Sequence, residues 1–316
     1  MIFGTIPKMF LPTYTWPHRT LRSAALATSL PPNPPLAHRS IRRLVGYLHS
    51  LLRSFSKYYC SWFGIAYDHW IVQLPFGLVL KWSEGTRLEE VTATMVARSA
   101  GFPVPFVISY GEHIGMSNTP VSILMTRLPG KTLGAVSEQL SNKERQTIFE
   151  EMQSILGAMR SWLRPWGTET ICSIMGTAIR SVRVPNHSIG PCESESDFNK
   201  QLIAAASDHS FPSLDIFEQK LSCAQRIQSM QHPSVFTHGD LKHHNVMIYD
   251  GHVSGFIDWE SAGWYPEYWE YTTALRFCPK NFWWYDFVSR LGGSQYMEEM
   301  ESERALTSLT ADSYSW

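Results

Sequence analysis

His238-Gly239-Asp240-Leu241-Lys242-His243-His244-Asn245 and, twelve residues on, Ile257-Asp258-Trp259 hold the residue types that phosphoryl transfer needs. Charge on the transferred group must be met by a metal ion and by a fixed cation. The acceptor hydroxyl must be oriented, and relieved of its proton, by a carboxylate. Asp240 is the candidate for that base, because Gly239 precedes it in a turn from which its side chain can project. Asn245 offers a carbonyl oxygen and Asp258 a charged oxygen to a hard cation. One Asn and one Asp, with water and phosphate oxygens completing the shell, suit Mg²⁺. His238 reads as a hydrogen-bonding group that fixes the turn.

The elements around these residues alternate in character. Val235-Phe236-Thr237 and Asn245–Tyr249 read as short strands on either side of the first motif, and Ser254–Ile257 leads into Asp258. Earlier in the chain, Trp70–Leu74 and Gly77–Trp82 read as two strands around a Pro-Phe-Gly turn. A helix follows from about Leu88 to Ser99, then strands at Phe106–Tyr110 and Val121–Arg127. Ser141-Asn142-Lys143-Glu144 is a capping box for a helix with Ile148, Phe149, Met152, Ile155, Leu156 and Met159 at helical spacing. Residues 184–196 read as a long loop. Residues 197–206, 216–230 and the remainder to about Leu309 read as helical. The first half is thus a small sheet with one helix inserted, and the second half is mainly helical.

Before Asp68 there is no acidic residue, while eight Lys and Arg occur there; the remainder carries a net charge of −9 against −1 for the whole. Such a balance carries no nucleic-acid signature. The acid-free start has the composition of a mitochondrial targeting segment, with a Pro-containing disordered tail as the simpler reading of residues 1–38. From Ser40, Ile41, Leu44, Val45, Leu48, Leu51, Leu52 and Phe55 recur at three- and four-residue steps with Arg42, Arg43 and Arg53 between them. A basic amphipathic helix of this kind can lie on a membrane, but covering a sheet is the reading preferred here. Five scattered Cys with no CxxC pair exclude a disulfide framework and a zinc site, and fit a reducing compartment. The longest apolar run, Trp70 to Leu80, is broken by Pro75 and too short to span a bilayer.

His238-Gly-Asp-Leu-x-x-x-Asn245 with Ile257-Asp258-Trp259-Glu260 resembles the aminoglycoside phosphotransferase family, within the protein-kinase-like superfamily. Ser122–Gly130, Phe102-Pro-Val-Pro105 and Gly263–Glu270 resemble a group of such proteins common in filamentous fungi. The resemblance covers about residues 60 to 305. It implies an α+β, kinase-like two-lobe fold, which after the tail read at 1–38 gives a lobe with the nucleotide-binding sheet (39–128) and a helical lobe with the catalytic loop (129–316). It implies Lys81 on phosphate, paired with Glu90 of the following helix rather than Glu89, and a hinge whose Thr126 and Leu128 backbone binds adenine. ATP, with GTP as the alternative, and Mg²⁺ are the implied cofactors. No glycine-rich phosphate loop is present, and Gly239 replaces the arginine of a protein kinase.

The reading is an ATP- and Mg²⁺-dependent phosphotransferase acting on a hydroxyl of a small molecule. The alternatives are a non-catalytic nucleotide-binding module and, less favoured, a Ser/Thr protein kinase. Asp197, Asn199, Glu260, Glu267 and Glu270 are candidates for facing a cationic acceptor. The expected protein is a cytoplasmic monomer, or a mitochondrial one, without nucleic acid or stable membrane insertion.

Overall fold

The computed structural model describes residues 6–17, 25–83, 85–115, 121–166 and 169–311. The elements in order are α1 (Arg39–Phe63), β1 (Ile71–Leu74), β2 (Leu78–Lys81), α2 (Leu88–Ser99), β3 (Val107–Glu112), β4 (Val121–Thr126), β5 (Lys131–Thr132), α3 (Leu133–Val136) and α4 (Asn142–Arg160). Then come β6 (Cys172–Ser173), β7 (Ile179–Arg180), β8 (Ser188–Ile189), α5 (Glu195–Ile203), α6 (Leu214–Gln225), β9 (Ser234–Thr237), β10 (Val246–Tyr249), β11 (His252–Phe256), β12 (Gly263–Pro266), α7 (Trp269–Leu275), α8 (Trp283–Leu291) and α9 (Met297–Leu309). They form two compact units. One holds residues 1–26, 31–148 and 246–260; the other holds 27–30, 149–245 and 261–316.

The first unit is built on an antiparallel sheet in the order β1-β2-β4-β3. Leu74 pairs with Leu78 across the Pro75-Phe76-Gly77 turn, where Phe76 and Gly77 both take positive φ. Side chains alternate across a strand, so each face of the sheet gets its own cover. Val107, Val121 and Ile123 pack with Val91 of α2 on one face. Val72, Leu74, Leu80 and Leu124 form the opposite layer, with Leu52 of α1 against it. Lys81 is the cross-strand partner of Ile123, so it shares the α2 face. The late hairpin β10–β11 joins β5 in a second sheet of this unit, ordered β11-β10-β5.

The expected amphipathic helix covers the sheet, but not with its apolar stripe. Its buried residues are Gly46, His49, Ser56, Tyr59 and Cys60. His49 hydrogen-bonds Ser122 Oγ at 2.7 Å and Ser109 Oγ at 2.9 Å. Burial, with His113 nearby, pushes the His49 pKa down to about 4, so its ring is neutral. Gly46 lies so close to β3 that a Cβ there would stand 2.2 Å from the Glu112 carbonyl oxygen.

In the second unit, β12 pairs with both β9 and β6. The all-helical reading of the segment after Asp258 missed β12, because Gly-Trp-Tyr-Pro is too short for a period to show. The 184–196 segment is also more regular than a loop, with β8 pairing to β7 and α5 starting at Glu195. The Ser141–Glu144 capping box forms as expected: the Ser141 N–H donates to Glu144 Oε2 at 2.8 Å and the Glu144 N–H to Ser141 Oγ at 3.3 Å. Within the expected tail, residues 6–17 and 25–38 are described. There the Phe76 N–H donates to the Met9 carbonyl at 2.7 Å and Trp16 Nε1–H to the Phe76 carbonyl at 2.6 Å. The other tail residues lie outside the described ones.

Candidate active site

In the first unit, Lys81 ends β2 on the face covered by α2. Its ammonium donates to Glu90 Oε1 at 2.8 Å and to Asp258 Oδ1 at 2.6 Å, and lies 3.6 Å from Glu260 Oε2. Glu90 is therefore the helix partner. Glu89, one residue back and about 100° around the helix, lies 3.9 Å from Arg87 instead. Burial opposes the Lys81 charge, but Glu90, Asp258 and Glu260 together hold its pKa above the ordinary lysine range. Burial pushes the Glu90 carboxyl up to about 7 against the pull of Lys81. Its second oxygen, Oε2, is buried without a hydrogen-bond partner.

Asp258 follows β11 with φ 68, a left-handed conformation that few non-glycine residues hold. Such strain persists where the surroundings fix it, and functional sites are where it concentrates. One carboxylate oxygen each from Glu90, Asp258 and Glu260 lies within 4.8 Å of the others. Three carboxylates face one ammonium, which leaves a surplus of negative charge. Asp258 and Glu260 retain 38% and 23% side-chain exposure, while Glu90 at 4% is buried. Hard, anionic oxygens on partly exposed side chains fit a divalent cation such as Mg²⁺.

In the second unit, the 238–245 turn follows β9. The Asn245 side-chain amide donates to the Asp240 carbonyl and to Asp240 Oδ2, both at 3.0 Å. Both partners are acceptors, so the amide nitrogen is fixed toward Asp240 and the Asn245 Oδ1 is left to accept from elsewhere. The Asp240 N–H donates to His238 Nδ1 at 3.3 Å, which matches the turn-fixing part expected of His238. Gly239 has φ 83, and a Cβ there would stand 2.2 Å from the Ser261 carbonyl oxygen. No side chain fits at this position, which accounts physically for glycine where a protein kinase has arginine.

Glu270 of α7 anchors the turn. It is 1% exposed, and its Oε2 accepts from the His238 N–H at 2.7 Å. Burial pushes its carboxyl up to about 7, against the His238 and Gly239 N–H groups and the Arg160 guanidinium. Lys242, two residues past Asp240, donates to the Thr273 carbonyl at 2.6 Å. Burial pushes its pKa down to about 8, although Asp240 pulls the other way.

The structure thus joins Lys81, Glu90 and Asp258 in one cluster and Asp240 with Asn245 in another. At the expected hinge, the Thr126 N–H donates to the Phe106 carbonyl at 3.0 Å. Thr126 therefore has only its carbonyl to offer a base. Glu260, Glu270 and Lys242 had no such roles from the sequence. The signal for Glu260 was its spacing of two from Asp258. The sequence marked Glu270 only as a candidate for facing a cationic acceptor; its contact with His238, 32 residues away, had no local signal. The expected acceptor-facing set is scattered. Glu267 lies 3.7 Å from Arg160, Asp197 pairs with Lys200 in α5, and Asn199 is buried where its Oδ1 accepts from the Tyr268 hydroxyl. Trp264, Trp269 and Trp284 are fully buried, and Trp269 packs against the Arg183 guanidinium, 3.6 Å from its ring centre.

Residues 50–304 match the model of the phosphotransferase enzyme family, APH. No curated protein sequence matches the chain. Among solved structures, a thermostable mutant of the aminoglycoside phosphotransferase APH(4)-Ia, in a ternary complex with AMP-PNP and hygromycin B, is 16% identical with a TM-score of 0.52. That match covers 81% of this chain and 89% of the other. The gentamicin complex of APH(2")-IIa is 14% identical with a TM-score of 0.46, covering 72% and 74%. The first of these shows the shared kinase-like fold. The family match spans most of the chain, including every residue of both clusters, and this protein belongs to the phosphotransferase enzyme family.

Proposed function

We propose that the protein transfers the γ-phosphoryl group of ATP to a hydroxyl of a small molecule, with Asp240 as the base. The observation that carries this reading is the Lys81 ammonium held between Glu90 at 2.8 Å and Asp258 at 2.6 Å, in a chain that also keeps Asp240 bonded to Asn245. A degenerate, non-catalytic relative would be under no pressure to retain all of these groups. AMP-PNP and hygromycin B in the APH(4)-Ia complex support ATP as donor and a small hydroxylated acceptor.

Each residue has a separate part. Lys81 neutralises the non-transferred phosphates, and Glu90 keeps its ammonium aimed. Asp258 and Asn245 are the residues that would hold a divalent cation, and Glu260 would add a further carboxylate beside Asp258. When bound, the cation neutralises phosphate charge and orients the transferred group. The Thr126 carbonyl and the Leu128 backbone bind adenine. Asp240 accepts the proton of the acceptor hydroxyl as its oxygen bonds to phosphorus and the bond to the departing ADP oxygen breaks.

The test is ADP release from ATP and magnesium across a panel of hydroxylated small molecules, read beside Asp240→Ala. Turnover with at least one acceptor, lost in the variant while nucleotide still binds, is the expected result. Nucleotide binding with no turnover on any acceptor or peptide counts for a binding module instead. Phosphorylation of peptides alone counts for a protein kinase.

A further inference from the structure

An amphipathic helix normally buries its apolar stripe. In α1 the small and polar face is buried, and the apolar stripe points outward. At about 100° per residue, Leu44, Leu48, Leu51, Phe55 and Trp62 fall on one face. They are 61%, 48%, 51%, 44% and 84% exposed. The stripe continues into an apolar groove of about 620 Å³ lined by Ile6, Phe10, Phe55, Trp62, Phe63 and Phe76. A contiguous apolar surface of this extent marks an interaction site rather than ordinary exposure.

Charge selects the occupant. α1 carries Arg39, Arg42, Arg43, Arg53 and Lys57 and no acidic residue. Arg42 is taken by Glu112 at 2.7 Å, and Arg53 lies over the Trp82 ring. Arg39, Arg43 and Lys57 are exposed along one flank of the apolar stripe, Arg39 also coming within 3.5 Å of Glu112. A second copy of the helix would set cation against cation with no carboxylate of its own to offset them. An anionic bilayer complements both features. Its headgroups meet the basic flank, and its acyl boundary takes the Leu, Phe and Trp side chains. Exposed Tyr47, Tyr58 and Trp62 suit the same interface, having an apolar body and a polar tip. Among the described residues no helix is long and apolar enough to cross a membrane, so α1 would lie on the surface.

We propose that the outward face of α1, with residues 6–10 beside it, docks the protein onto anionic lipid membranes. The test is co-sedimentation of the full chain with phosphatidylserine-containing vesicles and with pure phosphatidylcholine vesicles. Binding to the first and not the second is expected, weakening as salt is raised. Arg43→Ala and Lys57→Ala should each weaken binding about fivefold. Leu48→Glu with Leu51→Glu should weaken it by more than about tenfold. These side chains are exposed, so an unchanged melting temperature confirms that each variant is folded. Failure to bind anionic vesicles, or equal binding to neutral ones, overturns the proposal. A solution dimer that Leu48→Glu with Leu51→Glu turns into monomers also overturns it, in favour of a second copy as occupant.

Discussion

The substitution Glu270→Gln separates the buried charge at the catalytic turn from the shape of the side chain that carries it. The wild-type carboxyl is 1% exposed and holds its proton up to about pH 7, whereas an unfolded glutamate releases it near the ordinary value of 4.5. A folded-state pKa raised above the unfolded one makes a contribution that is complete below pH 4.5. That contribution is lost as the pH rises through about 7. A shift of this size corresponds to about 3 kcal/mol as an upper limit. The glutamine side chain keeps a carbonyl oxygen to accept from the His238 N–H but has nothing to titrate. The variant should match the wild type to within about 1 kcal/mol near pH 5, where both are neutral. By pH 8 it should gain on the wild type by up to about 3 kcal/mol, or several degrees of melting temperature at about 2–4 °C per kcal/mol. Denaturant melts of both proteins at four pH values from 5 to 8 supply the measurement. A stability difference that stays flat across that range refutes the assignment of a buried, proton-holding carboxyl to this position.

Gly239→Ala should lower activity on the order of a hundredfold, because the new methyl must displace the Ser261 backbone and carry Asp240 with it. The positive φ adds a cost of about 1–2 kcal/mol, so the melting temperature should fall as well; wild-type turnover would rule out the turn's part in placing the base. Lys81→Met should leave Glu90 buried without its cation, costing about 3–5 kcal/mol unless Glu90 takes up a proton. With the pull of Lys81 gone the Glu90 carboxyl should take up its proton above pH 7, so the stability of that variant should start to recover as the pH falls while still on the alkaline side, and urea melts at pH 9 and pH 6 check it. Asp258→Ala should raise the magnesium concentration needed for nucleotide binding, and titration calorimetry with an unchanged magnesium requirement would count against its ligand part.

Legibility in the sequence followed the range of the interactions. α2, β2 and β4 were readable because their apolar periods are local, and the Ser141–Glu144 box because its partners are three residues apart. The 238–245 turn was readable for the same reason, since Asp240 and Asn245 meet within five residues. Glu90 was separable from its neighbour Glu89 only by the resemblance, and the 2.8 Å contact with Lys81 now gives the physical reason. The anchoring of the turn by Glu270 depends on how α7 packs, which no local pattern encodes. α1 shows the limit most plainly. Its periodic stripe was correctly read as a helix, yet the period cannot say which face the sheet takes. A close approach at Gly46 and hydrogen bonds from His49 put the polar face inside. The alternation that fills a core and the alternation that fits a membrane surface look the same in one dimension.

Asp240 is proposed above as the base in phosphoryl transfer from ATP to a small hydroxyl compound. Its most direct test is a single-turnover measurement with the best acceptor from the panel, comparing wild type and Asp240→Asn at saturating ATP and magnesium. Transfer to the acceptor should fall by at least about a hundredfold in the variant while ATP affinity stays within a few-fold. Transfer at the wild-type rate by Asp240→Asn would contradict the account.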